Sequence, residues 1–155
     1  MKIAIAADHA GFELKGIVKS HLEQIGHELL DLGTQDTAPV DYPDFAEAVG
    51  DAVVNRRVER GILICGSGVG VSVAANKRRG IHAGLCHDHY SAHQGVEHDD
   101  MNVLCIGARI VGREVVLELV DAFVGACFSG EPRHVTRLQK VAQLEEKYCK
   151  GEGHD

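Results

Sequence analysis

The run Gly61–Cys65 (GILIC) is apolar without interruption, and a glycine-rich loop, Gly66-Ser67-Gly68-Val69-Gly70, follows it at once. A strand with no polar alternation must be buried on both faces, which is the condition of a central strand in a parallel sheet. Parallel strands need long crossovers, usually helices. The rest of the chain supplies them. Strand-like runs at Lys2–Ala7, Glu28–Leu32, Ile81–Cys86 and Asn102–Gly107 alternate with amphipathic segments. Phe12–Ile25 carries Phe12, Leu14, Ile17, Val18, Leu22 and Ile25 on a helical stripe, and Gly26 stops it. Gly33–Pro43 reads as a polar loop. Asp44–Asn55 groups Phe45, Ala48, Val49, Ala52 and Val53 on one helical face. The glycine loop opens a helix that runs as far as Asn76. His87–His98 is polar and partly helical. Gly112–Phe128 is a long amphipathic helix, and Arg133–Cys149 is the last one, after a break at Ser129–Pro132. The tail Lys150–Asp155 is expected to be disordered. This pattern predicts one α/β domain over residues 1–149, with a five-stranded parallel sheet, helices on both faces and a C-terminal helix.

Composition narrows the class further. Apolar residues make up 45% and aromatics 5%, with no Trp, so the core has to be built from Val, Ile, Leu and Ala. The formal charge of -7 argues against a general nucleic-acid or anionic-membrane partner, since both need a basic surface. A small anionic substrate remains open where basic groups converge locally. No apolar run approaches the roughly 20 residues of a membrane span. The opening MKIAIAADH reads as a strand rather than a signal peptide. The five cysteines are Cys65, Cys86, Cys105, Cys127 and Cys149; their number is odd and none forms a C-x-x-C pair. They read as reduced thiols, and the expected location is the cytoplasm.

Right-handed crossovers place the crevice of such a sheet at the carboxyl ends of its strands. That rule points at Asp8, His9, Cys65–Gly70, Cys86–His89 and the turn after Gly107. The strand Gly61–Cys65 delivers a thiol to this edge. Helix-start N–H groups beyond it favour negative charge, on a bound oxygen or on the Cys65 sulfur. A thiolate here is suited to abstracting a carbon-bound proton, with Ser67 and the loop N–H groups holding the oxyanion that forms. A buried cysteine beside a structural turn fits the same residues. A dinucleotide loop does not, because G-x-G-x-x-G needs glycine at Val71 and should follow the first strand.

Other segments carry chemistry with their own alternatives. Asp8 and His9 suit hydroxyl binding and proton handling, or a cap on the first helix. His89 and His93, four apart, could present two metal ligands on one helical face, although clustered histidines are more often solvated. Arg133 and Arg137 share a face of the last helix, with His134 beside them. They suit a phosphate clamp, or a solvated basic face. Arg109 follows the fifth strand at the carboxyl edge.

Taken together, these segments resemble the ribose-5-phosphate isomerase type B family, which also includes galactose-6-phosphate isomerase subunits. The matching residues are Asp8-His9-Ala10-Gly11-Phe12, Asp41-Tyr42-Pro43, Gly61–Asn76, His98 with Asn102-Val103-Leu104, Gly107–Gly112, and Arg133-His134 with Arg137. They span nearly the whole chain. The resemblance implies a three-layer Rossmann-like fold with no cofactor and no metal, acting on a sugar phosphate. It implies a homodimer, sometimes paired into a tetramer, with sites shared between subunits. Carried over by position, Cys65 resembles the proton-shuttling base between C1 and C2. Ser67 and the N–H groups of Gly66, Gly68, Val69 and Gly70 would hold the enediolate. His98, with Asp8, would open the furanose ring. His9, Arg109, Arg133, His134 and Arg137 are the phosphate candidates, and Tyr42 would line the site. Another branch of the family has a different residue at the Cys65 position and a glutamate base a few positions later, near residue 69; with Cys65 and Val69, this chain resembles the cysteine branch.

Asp99 departs from the pattern, since many members have Asn there. An ionised carboxylate accepts hydrogen bonds and cannot donate as an amide does. The expected reaction is interconversion of D-ribose 5-phosphate and D-ribulose 5-phosphate through a cis-enediolate. Asp99 keeps a four- or six-carbon aldose phosphate open as substrate. A non-catalytic sugar-phosphate-binding partner subunit is the rival of another class, and retention of Cys65, Ser67 and His98 weighs against it.

Overall fold

The chain alternates strand and helix from its start: β1 (Lys2–Ala7), α1 (Phe12–Gln24), β2 (Glu28–Asp31), α2 (Tyr42–Val54), β3 (Arg60–Cys65), α3 (Val69–Ala75), β4 (Ala83–Leu85), α4 (His89–Asp99), β5 (Val103–Gly107), α5 (Arg113–Gly125) and α6 (Pro132–Cys149). This computed structural model describes residues 1–149, so the expectation for Lys150–Asp155 lies outside the described residues. The five strands form one parallel sheet in the order β2-β1-β3-β5-β4. The strand with the unbroken apolar run is the central one, as its composition requires.

Alternation along the strands divides the core in two. Ile3, Ile5, Ile62, Ile64, Leu104 and Ile106 point to one face and pack with α1, α4 and α5 residues such as Val18, Val96 and Phe123. Ala4, Ala6, Leu63, Cys65, Val103 and Cys105 point to the other and pack with Val49 and Ala52 of α2 and Val71 and Ala75 of α3. That second face is rich in alanine, which lets its helices approach closely. Arg60 donates to the carbonyls of Phe123 and Ala126, closing the otherwise unpaired end of α5.

Some boundaries differ from those the sequence suggests. α2 begins at Tyr42 rather than Asp44, because a proline in the first helical turn loses no hydrogen bond. Tyr42 is therefore a helical residue and not part of the preceding loop. The fourth strand is only Ala83–Leu85, an edge strand with a single neighbour. The polar segment after it is a full helix, capped by the Asp88 carboxylate accepting from the Ser91 N–H at 2.7 Å. α5 ends at Gly125, short of Phe128. No described helix is long and apolar enough to cross a membrane.

Candidate active site

β3 ends at Cys65, whose side chain is 4% exposed. The loop then turns back over it, and the Gly68 N–H points at the sulfur at 3.1 Å. This bend needs a left-handed backbone at Gly68 (φ 78), where any Cβ would also strike the Ile106–Gly107 backbone at 2.8–2.9 Å. Ser67 Oγ accepts the Val69 N–H at 3.2 Å, which leaves its own hydrogen as a donor.

The wall of this cleft comes from the neighbouring strands and from α2. Tyr42 packs its ring on Gly70, where a Cβ would sit 2.8 Å from the ring. The Arg109 guanidinium lies over Gly66, with Nη1 3.3 Å from where a Cβ would stand. Its backbone is held there by two bonds, Ala108 N–H to Cys65 O at 2.8 Å and Arg109 N–H to Gly66 O at 3.0 Å. Asp8 is buried at the end of β1, its Oδ1 accepting from Ala10 N–H at 2.9 Å and Gly11 N–H at 3.2 Å. It caps this turn while still lining the cleft. Asp8, Tyr42, Cys65, Gly66, Ser67, Val69, Gly70 and Arg109 thus enclose a cleft of about 470 Å³, together with Ile110.

Ile110 is not among the residues that the sequence singles out, although it sits inside the Gly107–Gly112 block that carries the resemblance. His87 falls in the Cys86–His89 stretch that the carboxyl-edge rule picks out, but the sequence assigns it no role of its own. Its Nε2 accepts the Gly107 N–H at 2.9 Å, pinning the end of β5 beside the cleft.

His9 stands next to this cleft but outside its lining. Its Nδ1 accepts the Val40 N–H at 3.2 Å, so the ring proton is on Nε2, where it remains a donor. The other expected residues gather elsewhere. His98 and His134 lie ring against ring, tilted, with centroids 4.0 Å apart, and Arg133 Nε donates to His134 Nε2 at 3.1 Å. Burial, with His98 and Arg133 alongside, holds the His134 imidazole below the ordinary histidine pKa. Arg137 is exposed one turn further along α6. Asp99 lines a separate hollow of about 490 Å³ between the β4 edge and α6.

The topology explains this separation. α4 starts at the carboxyl edge and runs back over about 16 Å, at 1.5 Å per residue, so His98 ends beside the start of β5. Cys65 is at the opposite edge of the same sheet. Within one chain the two therefore stand apart.

His89 and His93 lie one turn apart with ring centroids 6.3 Å from each other. Among the described residues, no group of three or more His, Cys, Asp or Glu side chains is arranged to hold a metal ion. Cys105 lies in the core beneath Cys65, where burial and the neighbouring Cys65 and Cys86 push its thiol pKa far up.

These features define a Rossmann-like α/β protein whose crevice presents a thiol, a hydroxyl and backbone N–H groups beside a guanidinium. Known proteins similar to this chain cover nearly all of its length. The ribose/galactose isomerase family matches residues 3–141. Ribose-5-phosphate isomerase B of Escherichia coli is 44% identical over 146 residues, covering 94% of this chain and 97% of that protein. The solved ribose-5-phosphate isomerase B of Clostridium thermocellum superposes with a TM-score of 0.93 at 44% identity, covering 96% of this chain and 99% of that one. The Mycoplasma genitalium ribose-5-phosphate isomerase B, solved with bound ribulose-5-phosphate, gives 0.88 at 42% identity over 94% of this chain and 97% of that one. The chain belongs to the ribose/galactose isomerase family.

Proposed function

We propose that this chain interconverts D-ribose 5-phosphate and D-ribulose 5-phosphate, with Cys65 as the base. The observation that carries the proposal is the buried Cys65 sulfur with the Gly68 N–H directed at it, at the floor of a cleft that Ser67 and Arg109 also face. The relatives named ribose-5-phosphate isomerase B support the choice of sugar.

In this reading the Cys65 thiolate takes the proton from C2 of the open-chain aldose. The C–H electron pair becomes the C1–C2 double bond, and the charge moves to O1. The remaining N–H groups of Gly66–Gly70 and the Ser67 hydroxyl stabilise the enediolate. The thiol then returns its proton to C1, while the C2 hydroxyl proton passes to O1, giving the ketose. No cofactor is consumed, because the oxidation at C2 balances the reduction at C1.

The substrate is a furanose before reaction, and its ring must open. His98, with Asp8, is assigned that step, and His9, Arg109, Arg133 and Arg137 are assigned the phosphate. This set spans both edges of the sheet within one chain, so the reading requires that a second copy present its His98 and α6 arginines to the Cys65 cleft. The surface supports such pairing: Val69, Val73 and Tyr90, and Val141 and Leu144 of α6, are exposed apolar side chains. A homodimer is the minimal assembly, and a tetramer is two of these. Cys65, Cys86, Cys105 and Cys127 are free, which suits a reducing cytoplasm.

The test is an isomerase assay with EDTA present, comparing D-ribose 5-phosphate with D-erythrose 4-phosphate and D-allose 6-phosphate. Preference for the pentose is expected. Preference for another sugar keeps the mechanism and moves the substrate, and Asp99→Asn is then the first variant to examine. No turnover of any of them sinks the enzymatic reading.

A further inference from the structure

His134 is 2% exposed, and its whole imidazole is engaged inside the chain. Arg133 Nε can only donate, so the Nε2 that it meets holds a lone pair and the ring proton is on Nδ1. Nδ1 then donates to Ser129 Oγ at 2.8 Å. Ser129 is itself held: its Oγ accepts the Glu131 N–H at 3.3 Å, and its N–H donates to the Glu97 carbonyl of α4 at 2.9 Å. His98 covers the ring, tilted by 33°. Of the three residues that His134 touches, His98 and Arg133 stay accessible, at 30% and 61% side-chain exposure.

We propose that His134 is a positioning residue: a neutral, Nδ1-protonated imidazole that orients His98 and Arg133 and touches no substrate. The inference rests on the isomerase reading for what those two residues do. It revises the role that the resemblance suggests for His134, because its one N–H is already given to Ser129 and none is left for a phosphate. Adding a proton at Nε2 would expel the Arg133 bond and set two cations together. The groups around the ring are His98, Arg133 and Arg137, which disfavour its charged form, and Glu131, which favours it. Gln94 and Glu97 of α4 reach His98 and not His134, with Gln94 Nε2 2.9 Å from His98 Nδ1.

The experiment joins imidazole nitrogen NMR on the full-length protein with the kinetics of two variants. His134→Gln keeps an acceptor near the Nε2 position and loses the ring. His134→Phe keeps a ring against His98 and loses the acceptor. The expected result is a crossed split: H134Q lowers kcat about tenfold with KM nearly unchanged, and H134F raises KM about tenfold with a smaller effect on kcat. The wild-type resonances should show the Nδ1–H tautomer, unmoved by inorganic phosphate and uncharged through the ordinary histidine range near 6.5. An equal rise in KM in both variants overturns the inference, and so does a phosphate-induced shift of the His134 resonance or an Nε2–H tautomer. If the protein turns over no sugar phosphate, or if a variant fails to fold, the wild-type spectrum alone decides between a braced ring and a free one.

Discussion

The Gly68 N–H meets the Cys65 sulfur at 3.1 Å, three residues along a chain that has turned back on itself. The same loop therefore both delivers the thiol and supplies a donor to it. Replacing Cys65 with Ala should lower kcat by at least about 10²–10⁴, the usual worth of a general base, and leave KM within a few-fold. Steady-state kinetics on the purified variant checks this, and a variant retaining full activity would remove Cys65 from the base role.

Gly68→Ala should injure both the fold and the site. Its backbone is left-handed, and the new Cβ would come within 2.9 Å of the Ile106–Gly107 backbone. Strain of this kind costs about 1–3 kcal/mol, so the denaturation midpoint should fall, and activity with it. An unchanged midpoint with full activity would show that the loop does not need this geometry.

His98 and Cys65 stand at opposite edges of one sheet. If a site takes one from each copy, the inactive variants Cys65→Ala and His98→Ala should rescue each other when mixed and allowed to exchange subunits. Half of the randomly paired dimers would be mixed, and each would hold one intact site. Activity should return to about a quarter of the wild-type value. No recovery, with subunit exchange demonstrated by mass spectrometry, would mean that each chain works alone.

Asp31 predicts the acid limit of stability. Burial by itself would raise its pKa, but hydrogen bonds from Lys15, Gly33 and Lys19, with the Lys15 charge, leave it below the ordinary value. Lys15 is buried and bonds Asp31 Oδ1 at 2.7 Å and the Thr34 carbonyl at 2.6 Å. A lowered carboxyl contributes stability that is present above its unfolded pKa of about 3.9 and is lost as pH falls through the folded one. Asp31→Asn should be less stable at neutral pH and should lose less than the wild type between pH 5 and pH 3 on the order of that single titration. Urea melts across that range would show it, and parallel curves would refute it.

The thiols should separate by reactivity. Burial first, and then the Asp88 charge, push Cys86 up to about 11, so it stays a neutral thiol at physiological pH. Cys127 is exposed. Iodoacetamide at pH 7.5 should modify Cys127 well before Cys86, which should react only on unfolding. Peptide mapping by mass spectrometry gives the order, and early modification of Cys86 would contradict its burial.

Much of the framework is local and is legible in the sequence. Five strands, their parallel pairing and the helix after each follow from apolar periodicity, because neighbouring residues alone decide which faces are wet. The placement of Cys65 at a strand end, before a loop that only glycine can form, follows in the same way. Sequence alone puts Tyr42 in a loop because Pro43 reads as a breaker, whereas in the first helical turn proline is tolerated.

What needed the tertiary structure is everything that depends on distant pairing. Strand order sets β5 between β3 and β4, and so brings Arg109 onto Gly66 and His87 onto Gly107. The direction of α4 carries His98 away from Cys65, and packing of α6 buries His134 against it. The sequence marks most of these residues as candidates, and the family resemblance suggests roles for them. Their grouping was decided by long-range burial and by the handed return of each helix across the sheet, which no short window of residues contains.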